Sequence, residues 1–352
     1  MKILIDIGHP AHVHLFKHFA WEMQGKGHEI FFTCREKEFE IELLKHYGFD
    51  YKSFGRKYGS AAGKAWGLIK FGIQEYIAGL KFKPDILMSH SSMYAAQASF
   101  LLRKPHIAME DTGNWEQVKL YLPFTEAVLT PKVLSTDLGR KQIRYDGYHE
   151  LAYLHPNRHR LENVDSHLPK KFVLLRFVAW KASHDYGQTG FTDQEKSELV
   201  GYLISRGYDV LISSEGKLTE KLEKYRYASS PEKMHTILSY AQLYIGEGAT
   251  MASEAAVLGV PSIYVNSIPS SICNDQETYG LVYNFRSYRG ILDRVNEVFS
   301  IPDHLQEFRR RREKMLADKI DVTDLMVWFV GNYPDSLSMV HQRLSRTEEK
   351  LN

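Results

Sequence analysis

The sequence predicts an α/β protein built from two Rossmann-like domains that face each other across a cleft. Short apolar runs alternate with helical segments along most of the 352 residues, the pattern of a mostly parallel sheet covered on both faces. The same series starts again at 171–177, after a polar, proline-bearing stretch at 155–169. We therefore expect an N-terminal domain over 1–165, a C-terminal domain over 166–320, and last helices over 321–352 that cross the domain junction.

The start of the chain shows the repeating unit. The apolar run 2–7 predicts a strand, and the glycine, proline and histidines of 8–14 predict a loop. Apolar residues then recur at helical spacing until Gly25 and Gly27 end the helix, and 28–33 predicts the next strand. A βαβ unit places the loop after its first strand at the carboxyl edge of the sheet, where ligands bind in open α/β sheets.

The remaining elements follow from apolar runs for strands and from helical periodicity for helices. Further strands are predicted at 49–54, 85–89, 105–109, 126–130, 171–177, 208–213, 242–246 and 261–265. Helices in the second half are predicted near 193–206, 217–226, 231–240, 250–258, 303–317 and 322–331. Gly207 and Gly259 stand where helix C-caps are expected.

Composition excludes several classes of protein. Hydrophobic residues make up 43% and charged residues 25%, as in soluble globular proteins, and no apolar run approaches the ~20 residues that span a bilayer. Cys34 and Cys273 lie far apart, which favours a reduced, cytoplasmic setting over a disulfide framework. Because a strand is predicted almost at residue 1, we expect no secretory signal. Four arginines at 309–312 are too isolated to indicate a nucleic-acid partner, and we expect none.

A glycine turn in the second half carries the clearest ligand-binding pattern. Gly246 and Gly248 follow an apolar strand, and a helix then opens on Ala249 and Thr250. The unpaired N–H groups and the positive dipole end of such a helix suit a phosphate or diphosphate. Glu254 lies one turn beyond Thr250, where a carboxylate can accept hydrogen bonds from a ribose. The pattern predicts a nucleotide-sugar site, and the alternative is a plain strand-to-helix turn with Glu254 on a solvated face.

Three charged residues bear on this prediction. Arg176 and Lys181 open the second domain, where cations could stabilise a leaving diphosphate, although they could also be ordinary loop charges. Glu247 lies inside the turn itself. A carboxylate there is unfavourable beside a diphosphate, unless it points away or binds a sugar hydroxyl.

Several of these segments resemble proteins of the GT-B fold. The loop 8–13 (Gly-His-Pro-Ala-His-Val) is similar to the Gly/His loop of the N-acetylglucosaminyltransferase that completes lipid II, and so is the Glu254 helix followed by Asp275 and Gln276. Segments 84–92 and 105–113 resemble paired segments of the non-hydrolysing UDP-N-acetylglucosamine 2-epimerases. Over nearly its whole length the chain is most similar to an uncharacterised prokaryotic family of GT-B-like proteins.

The resemblance implies an enzyme that uses a nucleotide-activated sugar, with a UDP-sugar as the first expectation. The leading hypothesis is a glycosyltransferase acting on an unknown acceptor in surface polysaccharide or glycolipid synthesis. The alternatives are a 2-epimerase-like isomerase and a non-catalytic nucleotide-sugar-binding protein. Beyond the sugar nucleotide, no cofactor is expected, and the oligomeric state is left open.

The same resemblance suggests roles for individual residues. His12 is the first candidate for the base, or for the group that orients the acceptor, and Glu110 and Asp111 at the tip of a strand are alternative bases. Asp275 and Gln276 resemble the pair that contacts the sugar in the transferase. The competing interpretation of this last segment is a helix N-cap formed by Asn274 or Asp275.

Histidines near the N-terminus raise the question of a metal site. His14 and His18 are four residues apart and share a predicted helix face, as two zinc ligands do, and His9 and His12 precede them. Because no third ligand follows at an obvious spacing, we expect no metal.

Residues 56–83 combine positive charge with an apolar stripe. The segment holds six basic residues and one acidic residue, Glu75. Its large apolar residues recur at helical spacing: Trp66, Ile69, Ile73, Ile77 and Leu80. This pattern predicts an amphipathic helix with a basic flank. The stripe is either buried core or a surface for peripheral contact with the inner face of a membrane.

Overall fold

The structure, a computed structural model, describes residues 1–56, 58, 61–160, 168–178 and 190–351. The chain forms two compact units: unit 1 is Met1–Tyr153 with Ile320–Asn352, and unit 2 is Leu154–Lys319. The first boundary between the units, after Tyr153, lies earlier than the predicted domain boundary after residue 165. The second boundary, after Lys319, lies within one residue of the predicted boundary after residue 320. The C-terminal segment groups with the N-terminal unit.

Unit 1 is organised around a parallel sheet. Its strands are β1 (Lys2–Ile7), β2 (Glu29–Glu36), β3 (Tyr51–Arg56), β4 (Ile86–His90), β5 (His106–Met109), β6 (Ala127–Pro131) and β7 (Gln142–Tyr145). Its first helices are α1 (Pro10–Gly25), α2 (Glu40–His46), α3 (Ala61–Phe82), α4 (Met93–Leu102), α5 (Trp115–Tyr121) and α6 (Leu151–Leu154), which contains the division between the units. Within the described ranges the strand order is β3-β2-β1-β4-β5-β6-β7, with every pairing parallel.

The order of this sheet determines where a ligand site is expected. The chain runs outward from β1 to β3 on one side and from β4 to β7 on the other, so the topological switch point lies between β1 and β4. Ligands bind outside the carboxyl ends of strands at such a point. The loop after β1 is shorter than the predicted 8–14, because α1 begins at Pro10 with the His9 ring accepting a hydrogen bond from the Ala11 N–H. The predicted residue His12 therefore lies in the first turn of α1.

Unit 2 repeats the architecture with fewer strands. They are β8 (Phe172–Phe177), β9 (Asp209–Ser214), β10 (Leu243–Gly246), β11 (Ser262–Val265) and β12 (Val282–Phe285). The helices are α7 (Asp193–Ser205), α8 (Glu220–Glu223), α9 (Met234–Tyr240), α10 (Ala249–Leu258), α11 (Ser271–Thr278), α12 (Ile291–Ser300) and α13 (His304–Asp318). In the described part of this unit the parallel strands follow the order β12-β11-β10-β8-β9, which places the switch point between β8 and β10.

Most predicted elements are present, and the exceptions have a physical reason. The helix predicted over 217–226 is only α8, because the chain after it pairs with β9: the Ile212 N–H bonds to the Tyr225 carbonyl and the Tyr227 N–H to the Ile212 carbonyl. Backbone groups used in a sheet pairing cannot continue a helix. Strand β12 is absent from the sequence-based prediction because only its first residue is fully buried, which leaves a weak apolar pattern.

The C-terminal helices are α14 (Val322–Gly331) and α15 (Asp335–Leu351), and α14 packs on α1. The side chains of Val322, Met326 and Phe329 are fully buried. Hydrogen bonds join the segment to unit 1, from the Ile320 N–H to the Asp146 carbonyl (2.8 Å) and from the Thr323 hydroxyl to the Ala152 carbonyl (2.7 Å). This segment is therefore part of the core of unit 1.

The helix predicted within 56–83 is α3, but its apolar stripe is not core. Its large apolar side chains are exposed: Trp66 58%, Leu68 49%, Ile69 59%, Ile73 54%, Ile77 42% and Leu80 49%. The buried side of the same helix carries Phe71, Glu75 and Ala78. The interpretation of the stripe as buried core is wrong.

In the described ranges, no helix has both the length and the apolar character needed to cross a membrane. Both cysteines are buried and neither forms a disulfide bond, with Cys34 in unit 1 and Cys273 in unit 2. Burial raises the pKa of the Cys34 thiol to about 12, so this thiol is protonated and inert at neutral pH.

Candidate functional site

The carboxyl edge of the unit 1 sheet gathers a cluster of histidines around one carboxylate. His12 lies in the first turn of α1, which follows β1; His90 ends β4, Asp111 follows β5 and His149 follows β7. Because parallel strands all end at this edge, residues distant in sequence meet there. We refer to His12, His90, Asp111 and His149 as the histidine cluster.

Asp111 binds one histidine with each carboxylate oxygen. The distance from His90 Nε2 to Asp111 Oδ1 is 2.9 Å, and that from His149 Nδ1 to Asp111 Oδ2 is 3.1 Å. The side chains of His149, His90 and Asp111 are 7%, 12% and 20% exposed. The group is therefore shielded, while Asp111 remains accessible from solvent.

Charge within the cluster shifts the ionisation of its members. Burial alone would raise the pKa of Asp111, but the charges and hydrogen bonds of His149 and His90 hold it well below its usual value. Burial alone would lower the pKa of His90, and the hydrogen bond and charge of Asp111 outweigh this and raise it. Asp111 is therefore the anionic centre of the cluster.

The His12 ring packs against the His90 ring. The two rings stack with centroids 4.4 Å apart, and the Gly8 N–H donates to His12 Nδ1 at 3.3 Å. Burial, together with the charge of His90, lowers the pKa of His12 well below its ordinary value. A neutral imidazole that accepts at Nδ1 carries its proton on Nε2. In this arrangement His12 offers a donor, which fits the acceptor-orienting role better than the role of base.

Glu110 lies next to Asp111 in sequence but has a different environment. Its Oε1 accepts hydrogen bonds from the N–H and hydroxyl of Thr112 and the N–H of Gly113, and its Oε2 accepts from the hydroxyls of Ser91 and Tyr121. The Glu110 side chain is fully buried. A carboxylate with five donors holds its loop in place, and this argues against its action as a proton acceptor.

A buried ion pair between Arg35 and Asp6 lies next to the loop after β1. Arg35 Nη1 lies 2.6 and 2.9 Å from the two oxygens of Asp6, and the Ser92 hydroxyl also donates to Asp6. A Cβ at Gly8 would lie 3.2 Å from Arg35 Nη2, so the loop passes close over the guanidinium. The small residue at Gly8 allows this approach.

In unit 2 the glycine turn has the geometry that the sequence predicts for it. A Cβ at Gly246 would lie 2.2 Å from the Tyr244 hydroxyl, so only glycine fits there. Gly248 is the N-cap of α10, and no side chain in the described part of the chain caps that helix. The Glu247 carboxylate accepts from the Val178 N–H (2.8 Å) and the Phe191 N–H (2.6 Å). Its charge is therefore held by these two amides and not by the first turn of α10.

The two residues predicted to share a face of α10 differ in burial. Thr250 is exposed on the first turn, whereas the Glu254 side chain is 6% exposed and its Oε1 lies 3.0 Å from His235 Nε2. This buried pairing is the observed environment of Glu254, and its contact with a ribose stays a prediction.

The other predicted residues of unit 2 also have protein partners. Arg176 donates to the Ser213 hydroxyl (2.7 Å) and to Glu215 (2.6 Å). Lys181 lies outside the described residues. Asp275 forms an ion pair with Lys319 at 2.9 Å.

Gln276 is fully buried and donates to the Ser253 hydroxyl at 2.8 Å. This bond joins α11 to α10, so the observed contact of Gln276 is structural, and its sugar contact stays a prediction. The hypothesis that Asn274 or Asp275 caps this helix is wrong. The N-cap of α11 is Ser270, whose hydroxyl accepts from the Cys273 N–H.

The N-terminal histidines do not gather as metal ligands in the way that their spacing allows. The His14 ring lies beside Tyr47 and Tyr153, and the His18 ring packs edge-on against Trp21 with centroids 5.2 Å apart. Metal-capable atoms converge instead at His90, Asp111 and His149, where all three lie within 4.8 Å of one another. Sequence reasoning missed His90 and His149. The available indication was their position at or after the carboxyl end of a strand.

Known structures with the same architecture define the class of this protein. The UDP-GlcNAc 2-epimerase from Neisseria meningitidis, bound to UDP-GlcNAc, is similar with a TM-score of 0.65 and 14% identity, over 94% of this chain and 99% of that one. The glycosyltransferase SsfS6 of Streptomyces sp. SF2575 is similar with a TM-score of 0.58 and 12% identity, over 93% of this chain and 99% of that one. The two parallel-sheet units are those of the GT-B fold, which confirms the predicted fold class.

Within that class, the chain belongs to the family described as "Protein of unknown function (DUF354)", whose model matches residues 1–335. A relative is the uncharacterized protein MJ0665 of Methanocaldococcus jannaschii, 23% identical over 350 residues, which cover 95% of this chain and 98% of the relative. The family agrees with the resemblance noted in the sequence.

Proposed function

We propose that this protein is a glycosyltransferase that uses a nucleoside-diphosphate sugar, a UDP-sugar in the first instance. The observation that carries the proposal is the uncapped N-terminus of α10, with the Glu247 carboxylate bonded to Val178 and Phe191. Helix amides that no described side chain caps, on a glycine turn at the switch point of a parallel sheet, suit a diphosphate. The Neisseria meningitidis neighbour holds UDP-GlcNAc, which supports the same ligand class here.

The histidine cluster of unit 1 supports transfer over epimerisation. An epimerase must remove and return a proton on the sugar, and Glu110, the residue whose segment resembles that family, has both oxygens occupied by five hydrogen bonds. Transfer instead needs a group that orients an acceptor hydroxyl, and His12 offers a donor at the switch point.

We propose further that α3 brings the enzyme to an anionic membrane surface. Its exposed face presents Trp66, Ile69 and Ile73, and Lys70 and Lys81 lie on the same helix. Apolar side chains flanked by lysines match the interface of an anionic bilayer. A lipid-linked acceptor would be met at such a surface.

The test of the nucleotide site is a charge placed at the N-terminus of α10. Thr250→Glu adds a carboxylate to the first turn of α10. Its interaction with the helix dipole stabilises the helix by about 0.3–1 kcal/mol, so we expect the variant to fold. It would repel a bound diphosphate by about 3 kcal/mol for two unit charges ~6 Å apart at an effective dielectric constant of ~20, or about 100-fold in Kd. Calorimetric titration with UDP, GDP, CDP and dTDP measures the change.

Thr250→Gln is the matched control, since it has the same shape as the glutamate without its charge. We expect it to change the Kd by no more than a few fold. Equal affinity in the glutamate and glutamine variants would place the diphosphate elsewhere. A UDP-sugar that binds and exchanges solvent deuterium at C2 without any acceptor would favour the epimerase, and binding without turnover would favour the binding-only alternative.

A further inference from the structure

We propose that His90, Asp111 and His149 form a binding site for one divalent transition-metal ion. The three residues come from the ends of three different parts of the unit 1 sheet, and two imidazoles and a carboxylate point their ligand atoms at one place. The proposal departs from the sequence-based expectation of no metal. It concerns residues of unit 1, whereas the proposed nucleotide site is built from residues of unit 2.

The ligand atoms of the three residues lie close together. His90 Nε2 is 2.9 Å from Asp111 Oδ1, His149 Nδ1 is 3.1 Å from Asp111 Oδ2, and one ligand atom of each residue lies within 4.8 Å of the others. Ligands bound to one ion at about 2.0–2.2 Å, at angles between 90° and tetrahedral, are about 3.0–3.4 Å from one another. Binding of one ion by all three residues therefore requires side-chain rotations that replace the two hydrogen bonds of Asp111.

The surroundings of His149 provide an independent observation. His149 is 5% exposed, yet its Nε2 has no hydrogen-bond partner among the described residues. The hydroxyl of Tyr145, whose ring stacks on His149 with centroids 6.5 Å apart, is also buried without a partner there. Buried polar groups nearly always have a partner, so these two atoms on neighbouring rings indicate bound water next to the proposed site.

The ligand set selects the class of metal. Imidazole favours zinc, iron, copper and nickel, whereas magnesium and calcium prefer shells made of oxygen alone. Two histidines and one carboxylate leave at least one coordination position for water or for an oxygen of a bound molecule, as in catalytic zinc sites. We infer a Zn²⁺-type site with an open position.

Cobalt binding to the full-length, EDTA-treated protein tests the proposal. Co²⁺ replaces zinc in such shells and is visible through its d–d absorption. We expect one equivalent of Co²⁺, displaced by Zn²⁺. His90→Gln and Asp111→Asn should each weaken the affinity of the protein for Co²⁺. The loss should exceed the roughly 10–100-fold that follows removal of a group that only hydrogen-bonds to a metal ligand.

His46→Gln is the matched control, because His46 is exposed on α2, outside the cluster. It should bind Co²⁺ as the wild type does. Circular dichroism and thermal unfolding establish that each variant is folded, and two variants are used so that the failure of one to fold leaves the other. Absence of Co²⁺ binding by the wild type would overturn the proposal and leave a hydrogen-bonded His–Asp–His group. Unchanged affinity in a folded His90→Gln or Asp111→Asn protein would overturn it as well.

Discussion

At the scale of single residues, two buried carboxyl groups share one arginine beneath the switch point of unit 1. Arg35 is bonded to both oxygens of Asp6, and Glu75 accepts a hydrogen bond from the Thr33 hydroxyl at 3.0 Å. Burial and the charge of Asp6 raise the pKa of Glu75 well above its usual value, and the charge of Arg35 offsets only part of this. The folded protein therefore favours the protonated form of Glu75 more than the unfolded chain does.

This ionisation predicts a pH-dependent effect of Glu75→Gln. Because the folded pKa of Glu75 is raised, its contribution to stability is complete below the unfolded pKa and is lost as the pH rises through the folded pKa. Glutamine keeps a neutral acceptor for Thr33. Relative to the wild type, the free energy of unfolding of the variant should therefore rise by about 1.4 kcal/mol for each pH unit between ~4.3 and the raised folded pKa of Glu75, and then stay constant.

Denaturant unfolding at pH 5 and pH 8 measures this gain. Glu42→Gln, on the exposed side of α2, is the control and should show the same difference from wild type at both pH values. A constant difference for Glu75→Gln would mean that Glu75 is ionised in the folded protein.

At the scale of elements, periodicity predicts that α3 is a helix but does not predict whether its apolar stripe is buried. The spacing of apolar residues in 56–83 predicted a helix, and α3 (Ala61–Phe82) confirms it. The same spacing could not decide whether the stripe is buried, because a core face and a membrane face carry the same residue types. The tertiary structure places Phe71 and Ala78 against the core and leaves Ile69 and Ile73 exposed.

We expect Ile73→Glu to reduce binding to vesicles that contain anionic lipid. Transfer of one isoleucine side chain into an apolar environment is worth about 1.5–3 kcal/mol, so the partition coefficient should fall by about 10- to 100-fold. Sedimentation with vesicles at low and high salt measures it, since part of the binding is electrostatic. Ile204→Glu is the control because Ile204 is an isoleucine of unit 2 that is 42% exposed. Equal loss in the two variants, or no vesicle binding by the wild type, would refute the membrane role of α3.

At the scale of the whole molecule, the C-terminal segment of the chain belongs to unit 1, the unit that also contains the N-terminus. Unit 1 consists of Met1–Tyr153 and the C-terminal segment Ile320–Asn352. In that segment α14 packs on α1, and the side chain of Phe329 is fully buried. The contacts that stabilise unit 1 therefore include residues from both ends of the sequence.

Phe329→Ala should destabilise unit 1 selectively, by the roughly 3–5 kcal/mol that a large core truncation costs. Hydrogen exchange followed by mass spectrometry should show faster exchange in β1 and β4 and unchanged exchange in β8 and β10. Trp328→Ala removes an adjacent aromatic residue that is 41% exposed, and it should leave both units close to the wild-type pattern. Equal acceleration in the two units would show that they unfold together.

Much of the fold and part of the candidate site could be predicted from local patterns. The glycine turn at Gly246 and Gly248 and the segment that holds His12 were identified because each follows an apolar strand, although His12 lies in the first turn of α1 and not in the predicted loop. His90 and His149 were missed, since their meeting with Asp111 depends on strand order, which the sequence does not state. Glu254 was placed on a helix face correctly, but which way that face turns depends on packing.

The sequence by itself determined the alternation of strands and helices, the two α/β halves and the glycine turn, because these depend on residues close together in the chain. The tertiary structure alone decided that Glu247 is bonded to Val178 and Phe191 and that the α3 stripe is exposed. It also decided that Asp111 lies between two histidines. The physical reason is the same in each case: burial and contact across a sheet depend on which strands are neighbours, and neighbouring strands are joined by long stretches of chain.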